Sequence, residues 1–600
     1  MSASDQARRP VRIGNSSGFY GDRASAMADM ASAGGIDVLT GDYLAEVTML
    51  ILGKARAKDP TKGYAASFPH HLDAALEHLV ANRIRLVVNA GGLNPAGLAT
   101  ATRDLAARRG YELRVAHIDG DDVFDRLDTL PQAGHALRHL NGGEPLSSWP
   151  HRPLTANAYL GGFGIARALE HGADIVITGR VADASLVVGA AAWWWGWAPG
   201  DHDALAGAVC AGHVIECGAQ ATGGNFSGFR EIADLDDPGF PIAEIAADGS
   251  SVITKPAGTG GAVTEDTVKA QLLYEIGEPA YLNPDVVAHL DTAAVTDLGD
   301  DRVEIRGVRG SAPPATTKVA ITAVGGWQNS MLVALTGREV HAKAALVERA
   351  IRRYAASVEG IDAIGFQRIG RAEEDPDTQN VGTELLRIAV QGTEAAAGRR
   401  FSSRMVELAL SSFPGLYVLD PPQPGSAFGV YWPALLDQTA LDHTVHHHDG
   451  TTEVIAPTPE ARAANGSPAP ASPTARLGWT DELVEVALSE IVHARSGDKG
   501  GDANVGVWVR DRHAWPWLES TLTGDELQRL LPETRELPVE RYELPNLGAV
   551  NFVIRGLLGD GATSSLRLDA QAKALGEWLR ARTIKVPRVL VEPPHSGEGL

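Results

Sequence analysis

The feature that most constrains the fold is a unit that recurs along the N-terminal part of the chain. Each unit is a short apolar strand, a polar loop rich in glycine and then a helical run, and the strands are predicted at 11–13, 36–39, 86–88, 115–118 and 175–177. Strands that alternate with helices pair in parallel through right-handed crossovers. The loops should therefore gather at the carboxyl edge of one Rossmann-like sheet, where open α/β folds bind their ligands.

The fifth unit carries the strongest candidate residues. Its strand is too short for a helix and rich in β-branched residues, which is typical of a strand buried on both faces. The sequence Gly-Arg-Val-Ala-Asp follows and brings Arg180 and Asp183 to the sheet edge. A guanidinium in that position generally has a carboxylate or phosphate partner, and this partner is either a ligand or Asp183 itself.

Three further residues are candidates for acid–base or charge chemistry. Asp42 and Glu46 lie four residues apart. They could divide acid and base work at the cleft, but a helix N-cap followed by a first-turn carboxylate would look the same. Lys255 follows a predicted strand at 251–254 and either neutralises an acidic ligand or is a solvated surface lysine. With Arg180 and Asp183, these residues form the predicted catalytic set.

The glycine loops supply the predicted substrate-binding residues. Glycine at a strand-to-helix turn lets backbone amides approach phosphate or carboxylate oxygens, although the same glycines also satisfy ordinary turns. The loop 14–18 lacks the spacing of the dinucleotide fingerprint and the P-loop lysine, so neither NAD nor ATP is predicted, and no other cofactor. The candidates are Gly14, Asn15, Ser16, Ser17, Asn89, Gly91, Gly92, Asn94, Gln220, Thr222, Gly223, Gly224 and Asn225.

Composition excludes several classes of partner. The formal net charge of −22 and the pI near 5.3 argue against nucleic acid and anionic membranes, because both require a dense positive surface. Neither the N-terminus nor the apolar run 187–198 suits export or a membrane span, so we expect a cytoplasmic protein. The run from Trp193 to Trp195 predicts packing at a subunit or lobe interface, or a lid over an apolar tail, and we expect a homo-oligomer.

No metal site is predicted from the sequence. The two cysteines, Cys210 and Cys217, share a predicted helix face and are expected to be buried packing residues. The consecutive histidines His446 to His448 would point to opposite faces of a strand and so cannot converge on an ion. We expect them to be solvated loop residues.

The chain is predicted to contain two α/β regions joined by a linker. Residues 10–455 form the first domain, with a sheet lobe at about 10–290 and a second α/β lobe at about 290–455, whose segments 303–305, 318–323 and 331–335 suit antiparallel strands. Residues 456–476, rich in proline, alanine and serine, form the linker. Residues 477–600 are predicted as a small α+β domain of ferredoxin-like type, with the order ββαββα.

The first connection of the C-terminal domain has more charges and glycines than a hairpin requires. It either binds a polar ligand, docks on the cleft of the first domain or is simply a charged hairpin tip. Its candidate binding residues are Arg495, Ser496, Asp498, Lys499, Asp502 and Asn504.

A set of motifs resembles the acyclic terpene utilisation protein A (AtuA) family across both domains. The motifs are RIGNSSGFYGDR, TGDYLAE, NAGGLNP, TGRVADASL, IECGAQATGGNF, QLLYEIGEPAYLNPDV and, after the linker, ARSGDKGGDANVG with SLRLDAQAKALGEWL. The resemblance implies a bacterial cytoplasmic protein in the catabolism of acyclic terpenoids such as citronellol and geraniol, whose intermediates are CoA thioesters. It assigns no catalytic residue.

Three functions remain compatible with the sequence. The first is an enzyme for hydration, dehydration or carbon–carbon lysis, without redox chemistry, whose acidic or CoA-linked substrate is held by Arg180, Lys255 and loop amides. The second is a non-catalytic module that binds or channels such intermediates within a catabolic assembly. The third is acyl or CoA transfer through a covalent carboxylate such as Glu216.

Overall fold

The computed structural model describes residues 8–458 and 482–591. Up to about residue 290, short strands and helices alternate along the chain. In order, these elements are β1 (Val11–Asn15), α1 (Ala26–Ala33), β2 (Val38–Gly41), α2 (Glu46–Lys58), α3 (Phe68–Ala81), β3 (Arg85–Val88), α4 (Pro95–Arg108), β4 (Val115–Asp119), β5 (Pro153–Ala158), α5 (Phe163–Glu170), β6 (Ile175–Thr178), α6 (Ser185–Trp195), α7 (His202–Ile215), β7 (Ile242–Ile245), β8 (Ser251–Thr254), α8 (Glu265–Leu272), β9 (Ala280–Leu282) and β10 (Val287–His289).

The following segment is richer in long strands. Its elements are β11 (Ala294–Asp297), β12 (Val303–Arg306), β13 (Arg309–Ser311), β14 (Thr316–Thr336), α9 (Val340–Ala356), β15 (Ile361–Ile369), β16 (Thr383–Gly392), α10 (Glu394–Ala397), α11 (Arg399–Ser411), β17 (Leu416–Val418), β18 (Ser426–Asp437), β19 (Thr444–His446) and β20 (Thr452–Val454).

The centre of the first sheet is parallel, with the strand order β1-β2-β3-β6-β4. These strands are buried on both faces because helices cover each side. Apolar residues of α5, α6 and α7 pack on one face, and those of α1, α3 and α4 pack on the other. The polar loops after the five strands therefore emerge together at one edge, which is the arrangement that positions the site.

The complete sheet is mixed, so the prediction of a parallel sheet holds for its centre and is wrong for its flanks. Beyond β1, the strands β7, β8, β12 and β11 are added in antiparallel pairs, and beyond β4 the strands β19 and β20 do the same. The segment 303–305, predicted in the second lobe, thus lies in the first sheet as β12. The connections between β7 and β8, between β11 and β12 and between β19 and β20 are short and carry no helix, so these pairs can only be antiparallel.

The second lobe is organised around β14, a single long strand where the sequence predicted two. The apparent turn at Gly325 and Gly326 is a bulge, because the register with β18 shifts between Val324 and Gly326. Glycine at a bulge allows a strand to bend without ending. One end of β14 pairs with β5 and β18, and the other pairs with β16 and β17. Helices α9 and α11 pack on the second of these ends.

The C-terminal domain is ferredoxin-like. Its elements are β21 (Leu483–Ala487), β22 (Val492–Lys499), β23 (Asp502–Val509), α12 (Trp515–Thr521), α13 (Gly524–Leu530), β24 (Val539–Leu544), β25 (Ala549–Ile554), α14 (Leu575–Arg580) and β26 (Thr583–Pro587). The sheet has the antiparallel order β22-β23-β25-β24, and β21 pairs with β26. The charged segment predicted as a loop is instead the far end of β22 and β23, because these strands run on to Lys499 and start again at Asp502.

The prediction for the three consecutive histidines is wrong in part. The histidines 446–448 are not solvated as a group, since β19 pairs with β4 and His447 is buried against the ring of His171.

The indole of Trp194 lies beside the guanidinium of Arg8, 4.2 Å from the ring centroid. Residues 459–476 of the predicted linker lie outside the described residues. In the parts of the chain that are described, none of the helices is both long and apolar enough to cross a membrane.

Candidate active site between the two domains

The loops after β1, β2 and β3 meet around the buried carboxylate of Asp42. Its Oδ1 accepts hydrogen bonds from Nδ2 of Asn89 at 2.6 Å and from the backbone amide of Leu44 at 3.0 Å. The amide of Asp42 donates to the carbonyl of Ser17, and the Ser17 hydroxyl donates to the carbonyl of Asp42, both at 2.9 Å. Three loops that were predicted separately are therefore joined at one point.

Arg180 follows β6 and is only 2% exposed. Its guanidinium donates to Oδ1 of Asp183 and to the carbonyl of Leu44, both at 2.7 Å, and to the hydroxyl of Tyr159 at 2.9 Å. Its backbone amide donates to Oδ2 of Asp121 at 2.8 Å. This side chain is thus held from several directions, and its geometry suits it to orient Asp183 more than to receive a ligand directly.

The second lobe contributes a cation and two phenols to the same place. Nζ of Lys318, on β14, lies 3.3 Å from Oε1 of Glu46, and the hydroxyl of Tyr159 donates to that oxygen at 3.0 Å. The ammonium group also lies 4.9 Å from the ring centroid of Tyr159 and 5.4 Å from that of Tyr431. The side chains of Lys318 and Glu46 each keep about a third of their surface exposed, so the cluster borders solvent.

The end of α7 adds a second acidic group. Glu216 has a side chain that is 11% exposed, with Oε1 3.0 Å from Nδ1 of His213. Its Oε2 is buried and has no hydrogen-bond partner among the described residues. Nδ2 of Asn15 donates to the carbonyl of Glu216 at 3.3 Å, which connects this group to the loop after β1.

The C-terminal domain closes the cluster with the end of its first hairpin. Nζ of Lys499 donates to the carbonyl of Glu275 at 3.0 Å. Nζ of Lys573 lies 2.8 Å from Oε1 of Glu275 and 3.0 Å from Oδ1 of Asp498. Residues from both domains therefore share one network of charges.

Arg495 provides a second connection between the domains. Its guanidinium lies over the ring of Tyr274, 4.2 Å from the centroid, and donates to the carbonyl of Asn225 at 3.2 Å and to the side chain of Gln220. The backbone of β22 comes equally close, because a Cβ added to Gly497 would lie 2.6 Å from the Tyr274 ring. Of the three interpretations of this segment, docking on the first domain is the one that the structure shows.

Burial raises the pKa of three carboxyl groups in this cluster. It raises the pKa of Asp42 to about 6 and that of Asp183 to about 7, although Arg180 acts in the opposite direction on both. Burial, with Asp183 and Glu275 nearby, raises the pKa of Glu216 well above its ordinary value. Carboxyl groups that hold or release a proton near pH 7 are suited to general acid–base chemistry.

The pKa values of two other groups, Lys499 and Glu46, are lowered. Surrounding protein displaces water from around the ammonium group of Lys499 and, reinforced by the nearby charge of Lys318, lowers its pKa to about 8. The pKa of Glu46 falls to about 2 because Lys318 and Arg180 outweigh the effect of its burial. The site therefore contains a carboxylate that stays ionised, beside carboxyl groups that are protonated at least in part.

The remaining predicted residues of the first domain hold the loops in place. Ser16 donates to the carbonyl of Thr40, Thr222 donates to the carbonyls of Ala219 and Gly239, and Asn94 caps α4. Gly14, Gly91 and Gly224 are closely packed, and Gly92 and Gly223 have positive φ. Lys255 does not join the cluster, because it pairs with Asp301 at 3.0 Å and donates to the carbonyl of Thr259.

Three predicted residues of the C-terminal domain have partners of a similar kind. The hydroxyl of Ser496 accepts the amide of Gly576, and Asp502 accepts Arg555 at 2.7 Å. Asn504 receives the amide of Glu275 at 2.8 Å and donates to the carbonyl of Leu273. Asn504 therefore supports the docking of the domains rather than lining the cluster.

Sequence reasoning missed Lys318, Tyr159, Tyr431, His213, Glu275 and Lys573. Lys318 lies in an alternating strand, where a lysine is normally a solvated outward residue, and Tyr159, Tyr431 and His213 lie outside the quoted motifs. Lys573 lies within the motif SLRLDAQAKALGEWL, which does not single it out. Only Glu275 had a usable signal, because a charged residue interrupts an otherwise apolar run at 272–276.

Comparison with known proteins gives two family matches. Residues 11–447 match the model described as acyclic terpene utilisation family protein AtuA, and residues 486–585 match the model described as AtuA ferredoxin-like domain. Neither the curated proteins nor the solved structures gave a match.

Proposed function

The chain belongs to the acyclic terpene utilisation AtuA family, and from this premise we propose that it is an enzyme of acyclic terpenoid catabolism that adds water to, or removes it from, an acidic or CoA-thioester intermediate. The observation that carries the proposal is the environment of the Asp183 carboxyl. Partial burial raises the pKa of this carboxyl to about 7, and the side chain keeps about a third of its surface exposed while lying 2.7 Å from the buried guanidinium of Arg180. The carboxyl of Asp183 can therefore gain or lose a proton near pH 7, and Arg180 fixes its orientation.

The cations of the site divide into two kinds. Arg180 is buried, and its guanidinium donates hydrogen bonds to acceptors within the protein, which makes it a positioning residue for Asp183. Lys318 and Lys499 retain exposed surface and stand at the solvent side of the cluster. These two lysines are the groups that would receive a carboxylate or the oxygen of a thioester carbonyl.

Hydration then needs one base and one acid. Ionised Asp183 takes a proton from water while the water oxygen bonds to the β-carbon of an α,β-unsaturated thioester, and the electron pair of the double bond moves to the carbonyl oxygen. Lys318 or Lys499 stabilises that enolate oxygen. A protonated carboxyl, for which Glu216 is suited by its raised pKa, returns a proton to the α-carbon. Dehydration is the same sequence in reverse.

The raised pKa of Glu216 also bears on acyl transfer. A covalent acyl-enzyme needs an ionised carboxylate as nucleophile. Because Glu216 is held protonated by its burial and by neighbouring acids, acid–base work suits it better than nucleophilic attack. Hydration or dehydration is therefore favoured over transfer.

The test uses purified full-length protein with CoA thioesters of acyclic terpenoid acids, and follows the gain or loss of one water by mass spectrometry. We expect turnover by the wild-type protein and a fall of at least about 100-fold in kcat for Asp183→Asn. Asp104→Asn, the same substitution at an exposed position on α4, is the matched control and should retain full activity. Binding of the thioesters without turnover would show a binding module instead.

A further inference from the structure

A group of potential metal ligands lies apart from this site, at the junction of β4 and β19. One ligand atom from each of His117, Asp119 and His446 can be chosen so that all lie within 4.8 Å of one another. The imidazoles of His117 and His446 are stacked, with centroids 4.3 Å apart and planes within 2°. Nε2 of His446 lies 3.0 Å from Oδ2 of Asp119. None of these side chains takes part in the network between the domains.

The strand register explains why the three side chains converge. His446 is directly opposite His117 in the antiparallel pair, and Val445 is opposite Ile118. Val445 and Ile118 both point into the apolar core, so the residues on either side of them point to the other face of the sheet. The sequence argument against a metal considered only neighbours along the chain, whereas the partners of His446 come from the adjacent strand.

The environment suits a cation that enters from solvent. All three residues are partly exposed, with 32% of the His446 side chain and 44% of the Asp119 side chain accessible. Arg103 of α4, whose guanidinium donates to the carbonyl of Val115, is a positive charge that acts on His117 from a packed helix. The carboxylate of Asp119, 3.0 Å from Nε2 of His446, supplies the negative charge that a bound cation requires.

We propose that His117, Asp119 and His446 form a binding site for a divalent transition-metal ion of the zinc class. Two imidazoles and one carboxylate are ligands that Zn²⁺, Co²⁺ and Ni²⁺ accept, whereas Mg²⁺ and Ca²⁺ prefer all-oxygen sets. A small tilt of the stacked rings brings the nitrogens to one ion, and water completes the coordination. Bound metal would fasten β19, and with it the edge strand β20, to β4 of the parallel centre.

The experiment uses tag-free full-length protein, freed of metal by dialysis and titrated with Zn²⁺ by calorimetry, with Co²⁺ absorption as a second readout. We expect one ion per chain, a rise in the unfolding temperature on binding and a visible Co²⁺ spectrum. His446→Gln and Asp119→Asn should each weaken binding by at least about 10-fold. Asp119→Asn keeps the shape of the side chain, which guards against loss of binding through misfolding of the histidine variant.

A second histidine and aspartate pair provides the control. His171 contacts Asp449 at 2.9 Å and stacks on His447, but these residues do not meet the three-ligand geometry. His171→Gln should therefore bind Zn²⁺ as the wild type does. The proposal is overturned if His446→Gln and Asp119→Asn bind Zn²⁺ unchanged, if His171→Gln is the variant that loses binding, or if the wild-type protein binds no ion at micromolar concentration.

Discussion

Nζ of Lys573 in the C-terminal domain lies 2.8 Å from Oε1 of Glu275 in the N-terminal domain. The same ammonium group is 3.0 Å from Asp498, so one cation serves two carboxyl groups contributed by different domains. The ferredoxin-like domain is therefore part of the candidate site, and changes to its hairpin should affect function without touching the parallel sheet.

Docking of the hairpin can be tested at Gly497. A Cβ at this position would lie 2.6 Å from the ring of Tyr274, so Gly497→Ala should push β22 away from the first domain. We expect turnover to fall at least about 10-fold, because misplacement of catalytic groups by about 1 Å has effects of this size or greater. Gly524→Ala, where the nearest atom would be 3.9 Å away, is the control. Equal activity of the two variants would mean that the hairpin does not set the site.

Removing the planar fork of Arg180 should disturb its whole network. Lysine keeps the charge but cannot reach Leu44, Asp183 and Tyr159 together. We expect Arg180→Lys to lower the free energy of unfolding by about 2 kcal/mol, as for loss of buried hydrogen bonds to a charged group. Arg109→Lys, at an exposed pair with Asp73, should change it little. Denaturant unfolding measures both variants, and equal effects would contradict the tight network.

Asp121 and Asp183 should each lower the free energy of unfolding as pH rises from about 5 to about 7.5. Burial raises the pKa of Asp121 and of Asp183 from 3.8 to about 7, so in this range the folded protein holds protons that the unfolded chain has lost. Histidines with lowered pKa act in the opposite direction over part of this range, because the unfolded chain keeps some of their protons up to about pH 7.5. The contribution of a carboxyl group is therefore measured as a difference between the unfolding temperatures of the wild type and of a variant that lacks it, across the window and at constant ionic strength.

The same measurement on Asp121→Asn isolates one of the two groups. Asp121 accepts hydrogen bonds from Asn157 and from the amide of Arg180, and an asparagine oxygen can still accept one of these while carrying no titratable proton. We expect the wild type to lose stability relative to the variant as pH rises through this window. An unchanged slope would mean that Asp121 does not titrate in this range.

Both cysteines should resist alkylation in the folded protein. Burial raises the pKa of Cys210 to about 12, and burial together with Glu216 raises that of Cys217 well above its ordinary value. Because the thiolate is the reactive form, iodoacetamide should label neither residue until the chain is unfolded. Rapid labelling of Cys217 in native protein, read by peptide mass spectrometry, would contradict this description of the end of α7.

Sequence patterns sufficed where a local rule has one physical solution. Apolar strands followed by glycine loops required a parallel centre with Asp42, Asn89 and Arg180 at one edge, because crossover connections have a single hand. The flanking antiparallel strands were missed because an isolated short apolar run does not reveal its neighbour. The segments 318–323 and 331–335 were predicted as separate strands for a related reason, since the glycine pair between them marks a bulge and a turn equally well.

What the sequence by itself determined is the parallel centre, the ferredoxin-like domain and the family, all of which depend on residues close together in the chain. Tertiary structure alone decided that Lys318 meets Glu46, that Lys573 meets Glu275, and that His446 faces His117. Pairwise distances between remote segments follow from packing and strand register, which no local pattern encodes. The raised pKa of Asp183 has the same origin, since its burial and its neighbouring charges exist only once remote segments of the first domain have packed together.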